Sequence, residues 1–323
     1  GYEGSAVAIQ PSTGKILAMA SNPGYNPNDL MGDSAEDVWA NLQEQEGQPL
    51  VNHAGAETLP PGSIFKIITT AAGLNNGFNP SSTLTGSNVI TLPDTVTELT
   101  NYANQKCNGQ DAVTLQTAFA LSCNTAFVEM SEQLGADELR KYAKAFGVGE
   151  NYDLGVSTSA GTLGDLPDGA ATAQSAIGQR DVTMTALQAA VMAGTVANKG
   201  TRMQPYLVNR ITDAQMKDIR TTKPKKADQA VNEETAATLT DLMYASERSS
   251  AGYDGNGFAS KTGTAEHGEG LAPHVRYVAF DPERDIAVGV VVKNGGNLGE
   301  SATGGKVSGP IGRAILRAYQ GEQ

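Results

Sequence analysis

The feature that most constrains this chain is a serine and a lysine at the predicted start of a buried helix. Pro60-Pro61-Gly62 precedes Ser63-Ile64-Phe65-Lys66, and an apolar run over residues 67–74 follows. Two prolines and a glycine do not fit inside a helix, so the sequence predicts a helix that begins at about Ser63 and is buried on most sides. Residues three apart share one helical face, so Lys66 can reach the Ser63 hydroxyl. The pattern predicts a nucleophilic serine with a base beside it, at a helix end that favours negative charge.

The same pattern occurs a second time, where it predicts only a turn. Ser12-Thr13-Gly14-Lys15 follows Pro11 and lies between two alternating runs, 5–10 and 15–21. This arrangement is typical of a β-hairpin, in which the serine and the lysine have no helical reason to meet. A serine at a helix start is also more often an N-cap than a nucleophile, so Ser63 needs support from elsewhere in the chain.

Two further short motifs supply that support. Ser122-Cys123-Asn124 is the single Ser-x-Asn of the chain, and Lys261-Thr262-Gly263 is its single Lys-Thr-Gly. Their order and spacing after Ser63-Ile64-Phe65-Lys66 resemble the active-site triplet of the penicillin-binding proteins, which class A β-lactamases share. The chain is therefore identified as similar to the penicillin-binding proteins.

The resemblance extends over about residues 6–318 and includes the stretches 14–21 and 176–179. Within the serine penicillin-recognising, β-lactamase-like superfamily, the chain resembles most the monofunctional class B D,D-transpeptidases. The resemblance implies an enzyme that cross-links the D-Ala-D-Ala stem peptides of peptidoglycan and that β-lactams acylate. It also implies an N-terminal membrane anchor and a pedestal domain, neither of which is visible in this sequence, and a site of action on the extracytoplasmic face of a bacterial membrane.

The resemblance assigns the first half of the reaction to four residues. Ser63 would attack the D-alanyl carbonyl and form an acyl-enzyme. Lys66 would accept the proton, for which it must be neutral, and burial beside apolar neighbours lowers a lysine pKa in this direction. Ser122 would relay a proton to the leaving nitrogen, and Asn124 would bind the substrate amide. The alternative for these last two is a Ser or Asx turn that starts the next helix.

The Lys-Thr-Gly strand is assigned the binding of the substrate. Lys261 would remain a cation that attracts the substrate carboxylate, and the hydroxyls of Thr262 and Thr264 would bind that carboxylate. Gly263 leaves room for a ligand to approach the strand. The resemblance places the oxyanion hole at the backbone N–H groups of Ser63 and Thr264.

The predicted elements are typical of an α+β fold. Strands are predicted at 5–10, 15–21, 257–265, 275–280 and 286–292, and helices at 113–120, 125–134, 136–146, 184–197, 232–247 and 310–319. We expect a mostly antiparallel sheet formed by both chain ends, flanked by helices, with an inserted all-helical subdomain. The sequence predicts one transpeptidase domain over 1–323, with its sheet part at about 1–62 and 200–323 and its helical subdomain at about 75–197.

Composition excludes several classes of partner and cofactor. The net charge of −12 argues against a nucleic-acid surface, which requires a basic footprint. His53, His267 and His274 lack the paired spacing of a zinc site, so we expect no metal and no cofactor. The expected partners are peptidoglycan stem peptides, β-lactam antibiotics and, through the N-terminal region, proteins of cell division or elongation.

Three points remain open in the sequence. Cys107 and Cys123 form either a disulfide or two buried reduced thiols. The segment 150–168 lacks the Glu-x-x-Leu-Asn element of class A β-lactamases, which disfavours drug hydrolysis but leaves a β-lactamase or a β-lactam sensor as alternatives. Arg276-Tyr277 replaces the Trp-aromatic pair of many relatives, which leaves this wall of the cleft undefined.

Overall fold

The computed structural model describes residues 2–268 and 270–321. The strands within these residues are β1 (Gly4–Ile9), β2 (Ile16–Asn22), β3 (Thr83–Thr85), β4 (Val89–Thr91), β5 (Glu98–Thr100), β6 (Ala112–Thr114), β7 (Thr201–Met203), β8 (Arg210–Thr212), β9 (Asp218–Thr221), β10 (Lys226–Gln229), β11 (Ala259–Ala265), β12 (His274–Asp281) and β13 (Ile286–Val292). The α-helices are α1 (Ala35–Glu44), α2 (His53–Ala56), α3 (Lys66–Leu74), α4 (Leu115–Leu121), α5 (Asn124–Ala145), α6 (Gly169–Ala176), α7 (Ala186–Ala197), α8 (Glu233–Ser249) and α9 (Ser308–Gly321).

The main sheet is built from both ends of the chain. Its five strands lie in the order β11-β12-β13-β1-β2, and every neighbouring pair is antiparallel. The N-terminal strand β1 pairs with the C-terminal strand β13, with Val7 opposite Gly289. The expected α+β fold with an antiparallel sheet from both termini is therefore confirmed, and β11 lies at one edge of the sheet.

The central strands are buried because helices cover both faces of the sheet. Every residue of β12 and β13 is buried, and β13 has the β-branched composition that suits a fully covered strand. Helices α7 and α9 both pack on β13. The close approach of α7 depends on Gly289, where an added Cβ would lie 2.6 Å from the backbone atoms Ala186 O and Ala190 N.

Helices dominate the segment between the two halves of the sheet, as expected, and small strand pairs accompany them. The pairs are β3 with β6 and β4 with β5. Residues 112–114 form a strand, so the helix predicted from residue 113 begins at Leu115, where Thr114 caps it. The helices predicted at 125–134 and 136–146 both lie within α5, and Gly135 between them (φ 73°, ψ 173°) interrupts the helical geometry, in agreement with the prediction of two helices.

Helix α7 packs against the sheet, although its sequence position groups it with the inserted helical subdomain. It begins with a complete capping box between Thr185 and Gln188, and its residues Ala186 to Val196 are all buried. In the main sheet it contacts β13, β1 and β12. The division at about residues 75–197 that the sequence suggests stays a prediction.

The second serine-lysine pair lies in a turn, as predicted. Ser12 is in the connection between β1 and β2, and both its N–H and its hydroxyl donate to the carboxylate of Asp285. The Lys15 carbonyl accepts from the N–H of Gln10, which closes the hairpin. Ser12 and Lys15 therefore have structural roles here.

Across residues 2–268 and 270–321, no helix combines the length and the apolar character that crossing a bilayer requires.

The contact between α7 and the sheet gives a test of the fold. Replacing Gly289 by Ala is expected to lower the free energy of unfolding by about 1–3 kcal/mol, because the new methyl group meets helix backbone that must shift. Urea unfolding followed by circular dichroism measures the change. Gly257→Ala is the matched control, since a Cβ there meets no atom within 4 Å. Equal urea midpoints for Gly289→Ala and Gly257→Ala would contradict the close α7–β13 contact.

Candidate active site

Ser63 lies on a short 3-10 turn that leads directly into a buried α-helix. The turn is Gly62–Phe65, and α3 continues from Lys66, so the α-helix begins three residues later than predicted. Ser63 is half-buried, whereas Ile64, Phe65 and Lys66 are fully buried. Gly62 has φ +55°, a conformation that favours glycine. The turn thus presents Ser63 at the surface of an otherwise buried segment.

The turn lies directly on strand β11. An added Cβ at Gly263 would be 2.7 Å from Pro61 O and 3.3 Å from Ile64 N, and one at Gly62 would be 2.8 Å from Thr264 O. This close approach is possible only because both positions lack a side chain. Ser63 is therefore held beside the Lys-Thr-Gly strand.

A second glycine contact fixes the turn from the other side. Gly62 N–H donates to Gly178 O at 2.9 Å. Gly178 has φ +75°, and a Cβ there would collide with the carbonyl of Gly62. The Gly178-Gln179 stretch carried only a resemblance in the sequence, and the structure gives Gly178 a contact beside Ser63.

The Ser122-Cys123-Asn124 segment joins two helices. Ser122 ends α4 in a left-handed conformation (φ 60°, ψ 41°), Cys123 is extended, and Asn124 begins α5. This chain reversal points the Ser122 carbonyl, the Ser122 hydroxyl and the Asn124 side chain toward Lys66. The predicted turn is present, and the helix begins at Asn124 rather than at Thr125.

Lys66 and Lys261 meet at Ser122. Lys66 Nζ lies 2.8 Å from Ser122 O, 3.3 Å from Ser122 Oγ and 2.7 Å from Asn124 Oδ1. Lys261 Nζ lies 2.9 Å from the same Ser122 Oγ and 3.1 Å from Thr262 O. The Ser122 hydroxyl therefore contacts two amino groups, one on the helix behind Ser63 and one on β11.

The Lys66 amine binds Ser122 and Asn124 instead of the Ser63 hydroxyl that the sequence spacing predicts. Among the described residues, Lys66 Nζ donates to Ser122 and Asn124, and it makes no hydrogen bond to the Ser63 hydroxyl. Catalytic hydrogen bonds are often loose before substrate binds and tighten in the complex. The structure places Ser122, which sequence spacing could not place, as the group in direct contact with Lys66.

Burial controls the protonation of both lysines. Each side chain is 0% exposed. Burial lowers the pKa of Lys66 well below its ordinary value of 10.5, and the charge of Lys261 lowers that pKa further. Burial also lowers the pKa of Lys261, to about 7. Burial therefore favours the neutral amine at both positions.

Two aromatic side chains that the sequence analysis did not assign line this pair. Lys66 Nζ lies 5.2 Å from the centroid of the Phe127 ring, and Lys261 Nζ lies 5.8 Å from that of Phe119. Phe127 is one helical turn after Asn124, and Phe119 lies three residues before Ser122. That spacing is the signal from which sequence reasoning could have found them.

The side chains that remain accessible mark an open cleft. Ser63, Ser122, Asn124, Thr262 and Thr264 are each partly exposed, while the lysines beneath them are buried. On β11, Thr262 and Thr264 are two residues apart, so strand alternation places both side chains on the same side of the strand. The three motifs thus converge on one surface.

The two cysteines form a disulfide next to this surface. Cys107 and Cys123 are joined with a Cα–Cα distance of 5.7 Å, and both are buried. Cys107 N–H donates to Gly86 O at 2.8 Å, and this hydrogen bond joins the Cys107 turn to the chain that directly follows β3. The bridge therefore fastens the residue between Ser122 and Asn124 to a second segment of chain.

The remaining sequence-based candidates lie in structural positions. Glu150 pairs with Arg202 at 2.6 Å, and Asp168 caps α6. Arg276 and Tyr277 are both fully buried, so neither replaces an exposed cleft wall. Within the described residues, no three His, Cys, Asp or Glu side chains form a group that could hold a metal ion.

The disulfide generates a stability prediction. Replacing Cys107 and Cys123 together by Ser is expected to lower the free energy of unfolding by roughly 3 kcal/mol, because a loop of this length is no longer closed in the unfolded chain. Urea unfolding of the two proteins measures the difference. Two free thiols titrated in denatured, unreduced wild-type protein prepared under oxidising conditions would contradict the bridge.

Comparison with known proteins agrees with this geometry. A family model for the penicillin binding protein transpeptidase domain matches residues 4–317. The peptidoglycan D,D-transpeptidase PbpA of Mycolicibacterium smegmatis is 45% identical over 98% of this chain and 66% of its own length. The protein of the same name from Mycobacterium tuberculosis is 42% identical over 99% of this chain and 68% of its own length. The chain thus spans about two thirds of these relatives.

Solved structures show the same likeness. The penicillin G acyl-enzyme complex of penicillin-binding protein A from M. tuberculosis superimposes with a TM-score of 0.94 at 42% identity, covering 99% of this chain and 75% of that one. The crystal structure of PBPA from the same organism gives a TM-score of 0.93 at 41% identity, covering 99% and 76%. With its three motifs assembled at one cleft, the chain belongs to the penicillin-binding protein transpeptidase family.

Proposed function

We propose that this domain is a serine-type D-Ala-D-Ala transpeptidase that cross-links peptidoglycan. The observation that carries the proposal is the Ser122 hydroxyl, which lies 3.3 Å from Lys66 Nζ and 2.9 Å from Lys261 Nζ beside the turn of Ser63. The mycobacterial relatives carry the name peptidoglycan D,D-transpeptidase. The acyl-enzyme complexes of the M. tuberculosis protein support a covalent mechanism of the same kind here.

The first half-reaction transfers the peptide to Ser63. The Ser63 oxygen attacks the carbonyl carbon of the penultimate D-alanine, and its proton passes to neutral Lys66. The backbone N–H groups of Ser63 and Thr264 bind the oxyanion that forms. The C–N bond then breaks, and the leaving D-alanine nitrogen takes the proton from Lys66 through the Ser122 hydroxyl.

The second half-reaction reverses these proton transfers. An amino group of a neighbouring stem peptide attacks the acyl carbon and gives up its proton through Ser122 to Lys66. The bond to Ser63 breaks, and its oxygen recovers the proton. Water as the acceptor would give carboxypeptidase activity through the same steps.

The electrostatics of the two lysines suit these roles. Burial and the charge of Lys261 both lower the pKa of Lys66, which favours its neutral form. Lys261, whose pKa burial lowers to about 7, regains its proton when a substrate carboxylate binds beside it. A neutral base and a cation therefore coexist when the site is loaded.

The side chains on the cleft surface position the substrate. Asn124 uses one oxygen lone pair for Lys66 and donates to Thr100 O at 3.2 Å. A second N–H and a second lone pair remain for the substrate amide. The partly exposed hydroxyls of Thr262 and Thr264 bind the substrate carboxylate, and the free edge of β11 accepts the peptide as an added strand.

The disulfide and the relatives support a place of action outside the cytoplasm. Structural disulfides persist in oxidising compartments, which favours the extracytoplasmic face of the membrane. The relatives are longer than this chain, and we propose that an N-terminal anchor and pedestal, with partners in division or elongation, belong to the same protein. Peptidoglycan stem peptides and β-lactams are the ligands of the domain itself.

A β-lactamase is the second candidate, because it requires the same triplet. It also needs a carboxylate that activates water against the acyl-enzyme. Glu150 is paired with Arg202, and Asp168 is engaged in capping α6, so these acids of the 150–168 segment are committed elsewhere. A long-lived acyl-enzyme is therefore the favoured outcome.

Benzylpenicillin is expected to add one acyl group at Ser63 that persists far longer than a β-lactamase turnover. The half-buried serine, its neighbouring amine and the β11 strand supply nucleophile, base and oxyanion site. Intact mass followed by peptide mapping identifies the residue, with Ser63→Ala and Ser12→Ala as matched variants. An adduct that survives in Ser63→Ala, or rapid repeated hydrolysis of a chromogenic cephalosporin, would refute the proposal.

The two lysines are expected to respond differently to arginine. Lys66→Arg should abolish acylation in a folded protein, because a guanidinium does not deprotonate near neutral pH. Lys261→Arg should retain a measurable fraction, because the cation remains. In the wild type, the second-order acylation rate should fall at low pH as Lys66 protonates, and above about pH 7 as Lys261 loses its charge. The alkaline fall should be absent from Lys261→Arg.

The measurement is the acylation rate with a fluorescent penicillin across pH, with circular dichroism as the control for folding. A folded Lys66→Arg that acylates at the wild-type rate would show that Lys66 is not the base. An unchanged alkaline fall in Lys261→Arg would show that another group titrates there.

A further inference from the structure

Besides Lys66 and Lys261, a third buried basic side chain lies behind Ser63, that of Arg276. Arg276 is on β12 and is 0% exposed. Its Nε donates to Pro60 O at 3.0 Å, and its Nη2 donates to Leu59 O at 2.8 Å and to Met184 O at 2.7 Å. Among the described residues, its Nη1 is buried without a hydrogen-bond partner. The guanidinium is thus fully enclosed and bound to main-chain carbonyls.

This arrangement differs from that of the other fully buried arginine. Arg313 donates to the carboxylate of Glu247 at 2.7 Å, as a buried charge ordinarily requires. Arg276 has only carbonyl oxygens in contact, and the charge of nearby Glu57 favours its protonated form without touching it. Burial lowers the pKa of Arg276 to about 10, so it stays charged at neutral pH. Burying a guanidinium without a carboxylate partner is energetically costly, so we expect Arg276 to hold a specific part of the structure in place.

The carbonyls that Arg276 binds belong to the chain just before the nucleophile. Leu59 and Pro60 lead into Pro61, Gly62 and Ser63. The two prolines have no N–H group, so this stretch can be tied to the sheet mainly through its carbonyl oxygens. Arg276 binds two of them.

The same arginine lies opposite the glycine against which the Ser63 turn rests. Arg276 is the β12 partner of Gly263, and a Cβ added at Gly263 would lie 2.7 Å from Pro61 O. The third contact of Arg276 is Met184 O. Met184 also pairs with Leu59, because Leu59 N–H donates to Met184 O at 3.2 Å and Met184 N–H donates to Leu59 O at 2.9 Å. The guanidinium therefore joins β12, the Leu59–Pro60 segment and the Met184 segment at one point.

We propose that Arg276 is a positioning residue for the acylation step: it holds the Leu59–Pro60 carbonyls and thereby sets the Ser63 turn against β11. The inference rests on the proposed function at Ser63. Arg276 touches neither the substrate nor the reacting atoms. Its effect is on the placement of the Ser63 oxygen, to which the rate is sensitive, since a misplacement of about 1 Å can reduce rates by about 100-fold.

The test separates binding from chemistry. Stopped-flow acylation by a fluorescent penicillin gives the dissociation constant of the non-covalent complex and the first-order acylation constant. Arg276→Ala is expected to lower the acylation constant by about 10- to 100-fold and to leave the dissociation constant nearly unchanged. Millimolar guanidinium chloride should restore part of the acylation rate by filling the vacated site, whereas equal urea or sodium chloride should not.

Arg202→Ala is the matched control, because it removes another buried guanidinium, whose contacts are Ala145, Glu150 and Tyr152. It is expected to lower the unfolding temperature and to leave the acylation constant of the folded fraction unchanged, with no response to guanidinium. Titration with excess fluorescent penicillin gives the active fraction of each variant. An unchanged acylation constant in Arg276→Ala, or an equal loss in Arg202→Ala, would overturn the inference.

Two further outcomes separate a failure of the Arg276 inference from a misfolded variant and from a failure of the proposed function. If Arg276→Ala does not fold, Arg276→Lys and Arg276→Gln retain donors for one or two of the carbonyls and should give reduced acylation constants. Wild-type constants in both folded variants would refute the positioning role. If the wild type itself is not acylated at Ser63, the proposed function fails. The mass of the acylated wild type tests that function without any Arg276 variant.

Discussion

Two lysine side chains buried beside one serine hydroxyl determine the character of this domain. Within the described residues, neither Lys66 nor Lys261 has a carboxylate in contact, and both bind neutral oxygens. Charged ammonium groups are costly to enclose in this way, so burial favours the neutral amine. A neutral amine near a nucleophile is a base. The energetic strain of burying two lysines and the chemistry expected of the cleft therefore have one physical origin.

The scaffold beneath the lysines keeps this arrangement in place. β11 is an edge strand, and Lys261 on this strand reaches the Ser122 hydroxyl. The hydroxyl of the preceding residue, Ser260, donates to the buried carboxylate of Glu247. Tyr277 OH donates to the same carboxylate at 2.9 Å and Arg313 Nε at 2.7 Å. This satisfied buried network fixes β11 from behind and leaves its free edge for a ligand.

Sequence reasoning predicted the residues of the site and could not give their contacts. The i, i+3 spacing of Ser63 and Lys66 predicted a direct pair, whereas the Lys66 amine lies on Ser122 and Asn124. The reason is that the first turn is a 3-10 turn, and that α4 and α5 bring their junction over Lys66. Contacts between segments separated by more than fifty residues do not follow from local periodicity. The Cys107–Cys123 bridge belongs to the same class, since spacing alone allowed either state.

The boundaries of the elements show the same division. Strong apolar patterns predicted β12, β13 and α9 close to their observed limits, because a fully covered strand has a continuous apolar run and a helix packed on a sheet has an apolar face. The strand β6 and the packing of α7 on the sheet were not predicted, because each depends on what lies opposite it in space.

By itself, the sequence determined the class of this protein. The prolines and glycine before Ser63, the Ser-x-Asn and the Lys-Thr-Gly each specify local backbone and side-chain chemistry, and their order identifies the family. The tertiary structure alone decided how these pieces interact: the pairing of β1 with β13, the Ser122 hydroxyl between two lysines and the enclosure of Arg276 behind the nucleophile. The physical reason is that pKa shifts, close backbone contacts and buried hydrogen bonds arise from groups that are distant in sequence. Those groups acquire their properties only when the chain has excluded water from around them.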